Sequence, residues 1–391
     1  MKYDFDKIID RRHTDSCKWN VKDNELPMWV ADMDFEVASP IKEAIINRAS
    51  HGIYGYSDMQ DEWYEAYINF YKDRHNLEIK KDWLIFSTGV VPSISSSVRK
   101  LTNEGDEVVL LTPVYNIFYN SVVNNNRKVL EVPLRYNANS YSIDFEALNE
   151  ALSKENVHLM ILCNPQNPVG KIWSKEDLKE IGRLAKAHNV IVLSDEIHGE
   201  LTFPGKKYVP FLSVNETNRE VGFACVSVTK AFNLAGIHTS AIICPNPEIR
   251  KKVDRQLNTD ECAEPNVFAQ VAAIAALNDS RDWLDQLNTY IEKNKEYVYG
   301  YVKKNIPDVV CIRQDATYLM WLDISKISND SEGFCSFLRD KTGLFINPGV
   351  HYGLTGEGFI RINVATPLSN VKDGMDRLKK GIELYLKDKA K

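Results

Sequence analysis

The chain has 391 residues, with 48 basic and 54 acidic side chains interspersed along it and a formal net charge of −6. No run of basic residues is present to neutralise phosphates, which argues against nucleic acid or an anionic membrane as the main partner. The length exceeds one ordinary core and predicts two domains, or one large domain with an appended lobe.

Cysteine usage and the apolar runs indicate the compartment. The seven cysteines lie far apart without a Cys-x-x-Cys pair, which favours reduced core thiols over disulfides or a zinc site. Residues 1–7 carry no apolar segment after the first charge, so no signal peptide is expected. Apolar runs such as residues 159–163 have the length of a strand, not of a membrane span. A cytoplasmic protein is predicted.

From about residue 85 to 245, short apolar runs alternate with amphipathic helical patterns. Strands are predicted at 108–111, 158–163, 190–193, 224–228 and 241–244. Ser174, with Asp177 three residues on, is an acidic variant of the capping box and predicts the start of one helix. Continuous apolar strands between helices predict an α/β fold with a mostly parallel sheet covered on both faces.

The last third of the chain has a different pattern. A long helical period over 281–304 ends before Pro307 and predicts a connector helix. Strands at 318–322 and 359–363, with helices near 334–338 and over 371–386, predict a smaller α+β unit. We expect a large domain over 46–284 and a small domain built from 1–45 and 285–391.

Three polar residues, Asn164, Asp195 and Lys230, come just beyond predicted strand ends, where α/β sheets bind ligands. Lys230 lies in the stretch Ser227-Val228-Thr229-Lys230. An amine can form a Schiff base with a carbonyl, and neighbouring hydroxyls and N–H groups can hold a phosphate. Together these features describe a seat for pyridoxal phosphate. The alternative is a solvated surface lysine.

The other two strand-end residues suit the ring of that cofactor. A fixed carboxylate such as Asp195 would keep a pyridinium nitrogen protonated, whereas the alternative is a helix cap. Asn164, within Asn164-Pro165-Gln166-Asn167-Pro168, could donate to the ring hydroxyl oxygen. Its alternative is an ordinary turn.

Further residues extend this site at both ends. Gly89, Val90 and Val91 at a predicted helix start suit a phosphate, or mark simple helix entry. Tyr115 is placed to stack on a flat ring, or is a core aromatic. Arg361 lies inside an apolar strand, where a guanidinium is costly unless paired. Its partner is either the α-carboxylate of an amino acid substrate or an internal Asp or Glu.

These motifs, taken in order, resemble the class I/II pyridoxal-phosphate aminotransferases of fold type I, nearly from end to end. Within that superfamily the chain is more similar to the cystathionine β-lyase branch, the MalY/PatB C–S lyases. The segments that carry the second likeness are 28–35 (Met-Trp-Val-Ala-Asp-Met-Asp-Phe), 54–56 (Tyr-Gly-Tyr), 194–198 (Ser-Asp-Glu-Ile-His) and 348–353 (Pro-Gly-Val-His-Tyr-Gly).

The resemblance implies roles for individual residues. Lys230 is the Schiff-base lysine and catalytic base, Asp195 the partner of the pyridine nitrogen, and Arg361 the substrate carboxylate clamp. The remaining implied cofactor contacts are Asn164 and Tyr115, which also face substrate, then Gly89, Val90, Val91, Ser227, Thr229, His198 and His238. Tyr56 would reach the phosphate of a neighbouring subunit, which implies a homodimer with shared sites.

Two histidines depart from the common aminotransferase pattern. His198 stands where many members have a tyrosine, as in the lyase branch, and His238 stands where many have an arginine at the phosphate. Because histidine gives a weaker, pH-dependent charge than arginine, a phosphate contact at His238 would be weaker than in those members.

The resemblance implies β-elimination on cystathionine or a related cysteine S-conjugate, giving a thiol, pyruvate and ammonia. The alternatives are an aminotransferase and a cofactor-loaded regulatory binding protein.

Overall fold

The computed structural model describes residues 2–137 and 140–390. The predicted domain ranges also include Met1, Ala138, Asn139 and Lys391, which lie outside the described residues. The strands are β1 (Leu26–Pro27), β2 (Leu84–Ser87), β3 (Glu107–Thr112), β4 (Lys128–Pro133), β5 (Arg135–Asn137), β6 (Ser140–Ser142), β7 (Val157–Cys163), β8 (Ile191–Asp195), β9 (Gly222–Val226), β10 (Ser240–Ile243), β11 (Val310–Cys311), β12 (Leu319–Asp323), β13 (Leu344–Phe345), β14 (Asn347–Pro348) and β15 (Phe359–Asn363).

The helices are α1 (Ser39–Ser50), α2 (Asp61–His75), α3 (Val90–Leu101), α4 (Asn116–Val123), α5 (Phe145–Leu152), α6 (Lys175–Ala187), α7 (Glu216–Val221), α8 (Val228–Ala231), α9 (Pro247–Thr259), α10 (Ala269–Asp279), α11 (Arg281–Asn305), α12 (Ser331–Thr342) and α13 (Leu368–Lys389). Among the described residues, none of these helices has the length and apolarity needed to cross a bilayer. The predicted capping box forms at the start of α6, where Ser174 and Asp177 exchange hydrogen bonds.

The central sheet has the order β2-β10-β9-β8-β7-β3-β4 over the described chain. The pairs among β9, β8, β7, β3 and β4 are parallel, whereas β10 is antiparallel to both of its neighbours. Alternate residues of β7 enter two different apolar clusters, Met160 and Leu162 in one and Leu159 and Ile161 in the other. Both faces are therefore covered, which explains why the strand is apolar throughout. The predicted mostly parallel sheet is confirmed.

A second, antiparallel sheet has the order β11-β12-β15-β14. Its inward side chains pack with α12 and α13 in a separate apolar cluster. Helix α11 connects the two regions, because Trp283 and Leu287 belong to the first cluster while Val298 and Val302 belong to the second. The predicted connector helix is confirmed.

The N-terminal residues contact both regions. Strand β1 pairs in parallel with β13, and Met28 packs beside the second sheet. Phe5 and Phe35 instead pack in the cluster of the central sheet. The domain boundaries at 45/46 and 284/285 stay a prediction.

Residues 29–34, called here the crossing segment, run between the two sheets. The Asn363 side chain at the end of β15 donates to the carbonyls of Val30 and Asp32, both at 2.7 Å. Asn233, just beyond α8, accepts from Met33 N at 3.1 Å. The crossing segment is thus fixed to both halves of the molecule.

Candidate active site

The parallel strands bring the predicted polar residues to one edge of the central sheet. Strand β8 ends at Asp195, which lies opposite Cys163 at the end of β7. Asn164 follows directly, and its backbone N donates to Asp195 O at 2.8 Å. Because β7, β8 and β9 run in the same direction, their carboxyl ends share this edge.

Asp195 is almost fully buried, and its Oδ1 accepts from Ile197 N at 3.0 Å. Burial raises the pKa of Asp195 to about 7, and the positive charge of Lys230 partly opposes that rise. The carboxylate is held rigidly yet pairs with no cation in a salt bridge among the described residues. A protonated ring nitrogen would supply the missing positive partner.

Asn164 is fully buried, with its amide nitrogen already engaged. Nδ2 donates to Val209 O at 2.9 Å and to Glu196 Oε1 at 3.3 Å, while Oδ1 has no partner within the described chain. The free atom is thus an acceptor, whereas the sequence predicts a donor to the ring hydroxyl oxygen. That role stays a prediction.

Lys230 lies in the short helix α8, whose N-cap is Ser227. The Ser227 hydroxyl accepts from Thr229 N at 3.1 Å and contacts Thr239 O at 2.6 Å. The Lys230 amine donates to Ala31 O in the crossing segment at 2.6 Å. Lys230 is partly buried, and burial lowers its pKa to about 8. Because its amine is bound to a backbone carbonyl, the side chain is not the solvated surface lysine of the alternative hypothesis.

Arg361 is buried in β15, where Nη1 donates to Asn167 Oδ1 at 3.2 Å and Nη2 to Trp29 O at 2.9 Å. Its guanidinium carbon lies 4.8 Å from the Tyr352 ring centroid. Nε has no partner, and no carboxylate of the described residues forms a salt bridge with Arg361. The alternative of an internal Asp or Glu partner is wrong. The guanidinium is left available for an incoming carboxylate.

The predicted phosphate residues meet at the same edge. Gly89 is the N-cap of α3, with extended backbone, and the first-turn amides at Val90 and Val91 have no acceptor within that helix. Strand β2 leads into this turn and pairs with β10, with Ser87 opposite Ser240. Since Thr239 precedes Ser240 and contacts Ser227, the α3 and α8 turns are neighbours.

Two aromatic rings complete the buried group. Tyr115 occupies the N-cap position of α4 without a side-chain capping bond, and burial raises its pKa to about 12, with Arg361 and Asp195 close enough to act on it. His198 is buried, and its Nδ1 lacks a partner in the described structure. Burial, and then the charges of Lys230 and Arg361, lower the pKa of His198 to about 3, so its imidazole is neutral.

Two predicted residues lie outside this group. Tyr56 is fully exposed, and it lines a surface groove together with the exposed His238. His238 adopts a left-handed backbone conformation, with φ of 56°. The predicted contacts of Tyr56 with a neighbouring subunit and of His238 with a phosphate stay predictions.

Several contacts escape sequence reasoning. Tyr318 donates to Ala31 O at 3.1 Å. In the sequence it is indistinguishable from the apolar residues of the predicted strand. Backbone carbonyls such as Trp29 O and Ala31 O carry no side-chain signal at all. Asn167 is marked in the sequence by the second Asn-Pro pair after β7, but the sequence predicts no role for it.

Comparison with known proteins identifies the family of the chain. The model of the family "Aminotransferase class I and II" matches residues 27–378. Cystathionine beta-lyase PatB of Bacillus subtilis (strain 168) is 39% identical over 382 residues, covering 96% of this chain and 98% of PatB. Protein MalY of Escherichia coli (strain K12) is 30% identical over 381 residues, covering 95% of this chain and 97% of MalY.

Among solved structures, cystalysin from Treponema denticola, which contains a pyridoxal 5'-phosphate cofactor, superimposes with a TM-score of 0.95 at 31% identity. The match covers 98% of this chain and 99% of cystalysin. The predicted fold class and the predicted family are confirmed. The chain belongs to the aminotransferase class I and II family.

Proposed function

We propose that the protein is a pyridoxal-phosphate-dependent C–S β-lyase that cleaves cystathionine or a related cysteine S-conjugate to a thiol, pyruvate and ammonia. The observation that carries this proposal is the meeting, in one buried site, of an amine of lowered pKa at Lys230 with an Arg361 guanidinium that lacks a carboxylate partner. The relatives named as cystathionine beta-lyases support the reaction.

The residues present fit the cofactor. Asn164 Oδ1, His198 Nδ1 and Arg361 Nε are buried polar atoms without hydrogen-bond partners in the described structure. Such atoms are costly unless a ligand satisfies them. A ring bearing a hydroxyl, together with a substrate carboxylate, supplies the partners that they lack.

The cofactor contacts are assigned from the ring to the phosphate. Asp195 would face the ring nitrogen, Asn164 and His198 would face the ring hydroxyl, and Tyr115 would stack on the ring. The phosphate contacts are Gly89, Val90, Val91, Ser227, Thr229 and His238, with Tyr56 contributed from a second subunit.

When bound, pyridoxal phosphate supplies an aldehyde that joins to amines and a protonated ring that draws electron density from the substrate Cα. Arg361 binds the α-carboxylate and so orients the Cα–H bond. Lys230, once released, takes the α-proton at Nζ, and its low pKa makes the neutral amine available near neutral pH. Asp195 holds the proton on the ring nitrogen. As the Cβ–S bond breaks, the thiolate leaves, and the remaining enamine hydrolyses to pyruvate and ammonia.

We further propose a cytoplasmic homodimer. The stretch Ile53, Tyr54 and Tyr56 is exposed, and a second copy of the chain would cover it while bringing Tyr56 to the neighbouring site. All seven cysteines, each among the described residues, carry free thiols, which fits a reducing compartment. Sedimentation of the holoenzyme tests the dimer. The cofactor affinity of Tyr56→Phe, compared with that of the wild type, tests the shared site.

One assay separates this function from its alternatives. The purified holoenzyme is incubated with cystathionine, with and without 2-oxoglutarate, and thiol, pyruvate and glutamate are measured. We expect thiol and pyruvate without an acceptor. Glutamate that forms only with 2-oxoglutarate would instead indicate an aminotransferase, and the absence of all three products would indicate a binding role.

A further inference from the structure

The crossing segment contacts the reactive groups through its backbone. Trp29 O accepts from Arg361, and Ala31 O accepts both from Lys230 Nζ at 2.6 Å and from Tyr318 OH at 3.1 Å. The amine of Lys230 is therefore held one residue before Asp32. The proposed reaction assigns no role to the Asp32 side chain.

Asp32 is fixed in place by two cations. The Arg11 guanidinium binds it through both nitrogens, at 3.1 Å to Oδ1 and 2.9 Å to Oδ2, and Lys18 Nζ lies 3.7 Å from Oδ1. The same two cations also bind Asp34, each at 2.8 Å. Lys18 and Asp34 are almost fully buried, so the cluster is rigid. The Asp32 carboxylate is thus held in one position, and Asp32 directly follows Ala31, whose carbonyl contacts Lys230.

The charged groups around Lys230 divide into two sets. Burial and Arg361 lower the pKa of Lys230, whereas Asp32 and Asp195 act to raise it, and Asp32 has the larger effect of the two carboxylates. The neutral His198 and the Tyr318 hydroxyl complete the polar surroundings. In the proposed function Asp195 pairs with the ring nitrogen. Asp32 is then the remaining carboxylate of the described residues that acts on the lysine nitrogen.

We propose that Asp32 is a positioning residue for Lys230, whose carboxylate, fixed by Arg11 and Lys18, keeps a proton on the lysine nitrogen while that nitrogen is joined to the cofactor. This inference rests on the proposed function. A protonated nitrogen makes the attached carbon more reactive towards the substrate amine. After exchange, the released amine can again donate to Ala31 O, as it does in this structure.

The test is a pH titration of the visible absorption of the lysine-bound cofactor in the holoenzyme. Removal of an opposite charge disfavours the protonated nitrogen, so we expect Asp32→Asn to lower the midpoint by about one pH unit. Arg11→Met removes one of the two cations that offset the charge of Asp32, and we expect it to raise the midpoint. Asp32→Glu, which keeps the charge, should return the midpoint towards the wild-type value.

Glu25→Gln is the matched control. Glu25 is also a buried carboxylate of the N-terminal region, bound to Arg339 through both oxygens at 2.9 and 3.0 Å, but it has no contact with Lys230 in the described structure. We expect its midpoint to equal that of the wild type. An equal shift in Glu25→Gln would overturn the inference, because the effect would then be one of general charge or packing.

The outcomes separate the inference from the proposed function. A wild-type protein without the visible band would refute the proposed function, and the inference with it. A wild-type band together with an unchanged Asp32→Asn midpoint would refute the inference alone. If Asp32→Asn does not melt cooperatively, it is not properly folded, and the titration of Arg11→Met tests the inference instead. An unchanged or lowered midpoint in Arg11→Met would contradict the role of Asp32.

Discussion

Arg361→Lys is the sharpest test of the substrate site, because it keeps the positive charge and changes only the geometry. A guanidinium has five N–H donors. Two of them donate to Asn167 Oδ1 and Trp29 O, which leaves Nε–H and one hydrogen on each terminal nitrogen. Nε–H with a neighbouring Nη–H can grip a carboxylate through two parallel bonds. A lysine ammonium cannot reproduce that fork while also satisfying Asn167 and Trp29.

The expected cost follows from the bond that is lost. One charge-assisted hydrogen bond contributes roughly 1.5–3 kcal/mol, which corresponds to a fall of about 10- to 150-fold in kcat/KM. The assay measures kcat/KM for cystathionine and for an analogue that lacks the α-carboxylate. The analogue should react equally slowly with wild type and variant, because neither enzyme has a carboxylate to bind.

Arg339→Lys provides the matched control. Arg339 also binds a carboxylate through two bonds, to Glu25, but it lies outside the site. We expect its kcat/KM to remain at the wild-type value. A value for Arg361→Lys within about threefold of wild type, less than one ordinary hydrogen bond contributes, would refute the clamp, as would an equal loss with both substrates.

Three further changes test other parts of the reasoning. Lys230→Ala should remove both lyase activity and the absorption band of the lysine-bound cofactor, and a retained band would show that another amine binds the cofactor. Asp195→Asn should lower kcat by roughly 10²- to 10⁴-fold with a smaller change in KM, because the ring nitrogen loses its proton, whereas an unchanged kcat would exclude that role. Lys295 is fully buried, and burial lowers its pKa from 10.5 to about 7. Between these two pH values the unfolded chain binds a proton at Lys295 that the folded chain does not bind, so the folded state becomes less stable as pH falls from 10.5 to 7. Urea unfolding of Lys295→Met should therefore lose a pH dependence of up to about 1.4 kcal/mol per unit in that window, and an unchanged slope would contradict the buried-amine assignment.

The sequence predicts the central sheet well because each buried strand is marked by its own run of apolar residues. A strand buried on both faces must be apolar along its length, and β7 and β8 show this pattern directly. The helix after Ser174 is likewise determined by neighbouring residues, through its capping box. The antiparallel direction of β10 could not be predicted in this way, since an apolar run has the same appearance in either direction.

Some features of the site are likewise predictable from the sequence, whereas others depend on the tertiary structure. Residues at the carboxyl ends of parallel strands, Asn164 and Asp195 among them, are brought together by strand direction alone, so the sequence by itself determines their meeting. Only the tertiary structure decides that Arg361 lacks a carboxylate partner and that His198 is neutral, because both depend on what surrounds a buried group. It also brings Ala31, 199 residues away in sequence, to the amine of Lys230. That contact uses a backbone carbonyl, which every residue has, so no residue pattern can mark it in advance.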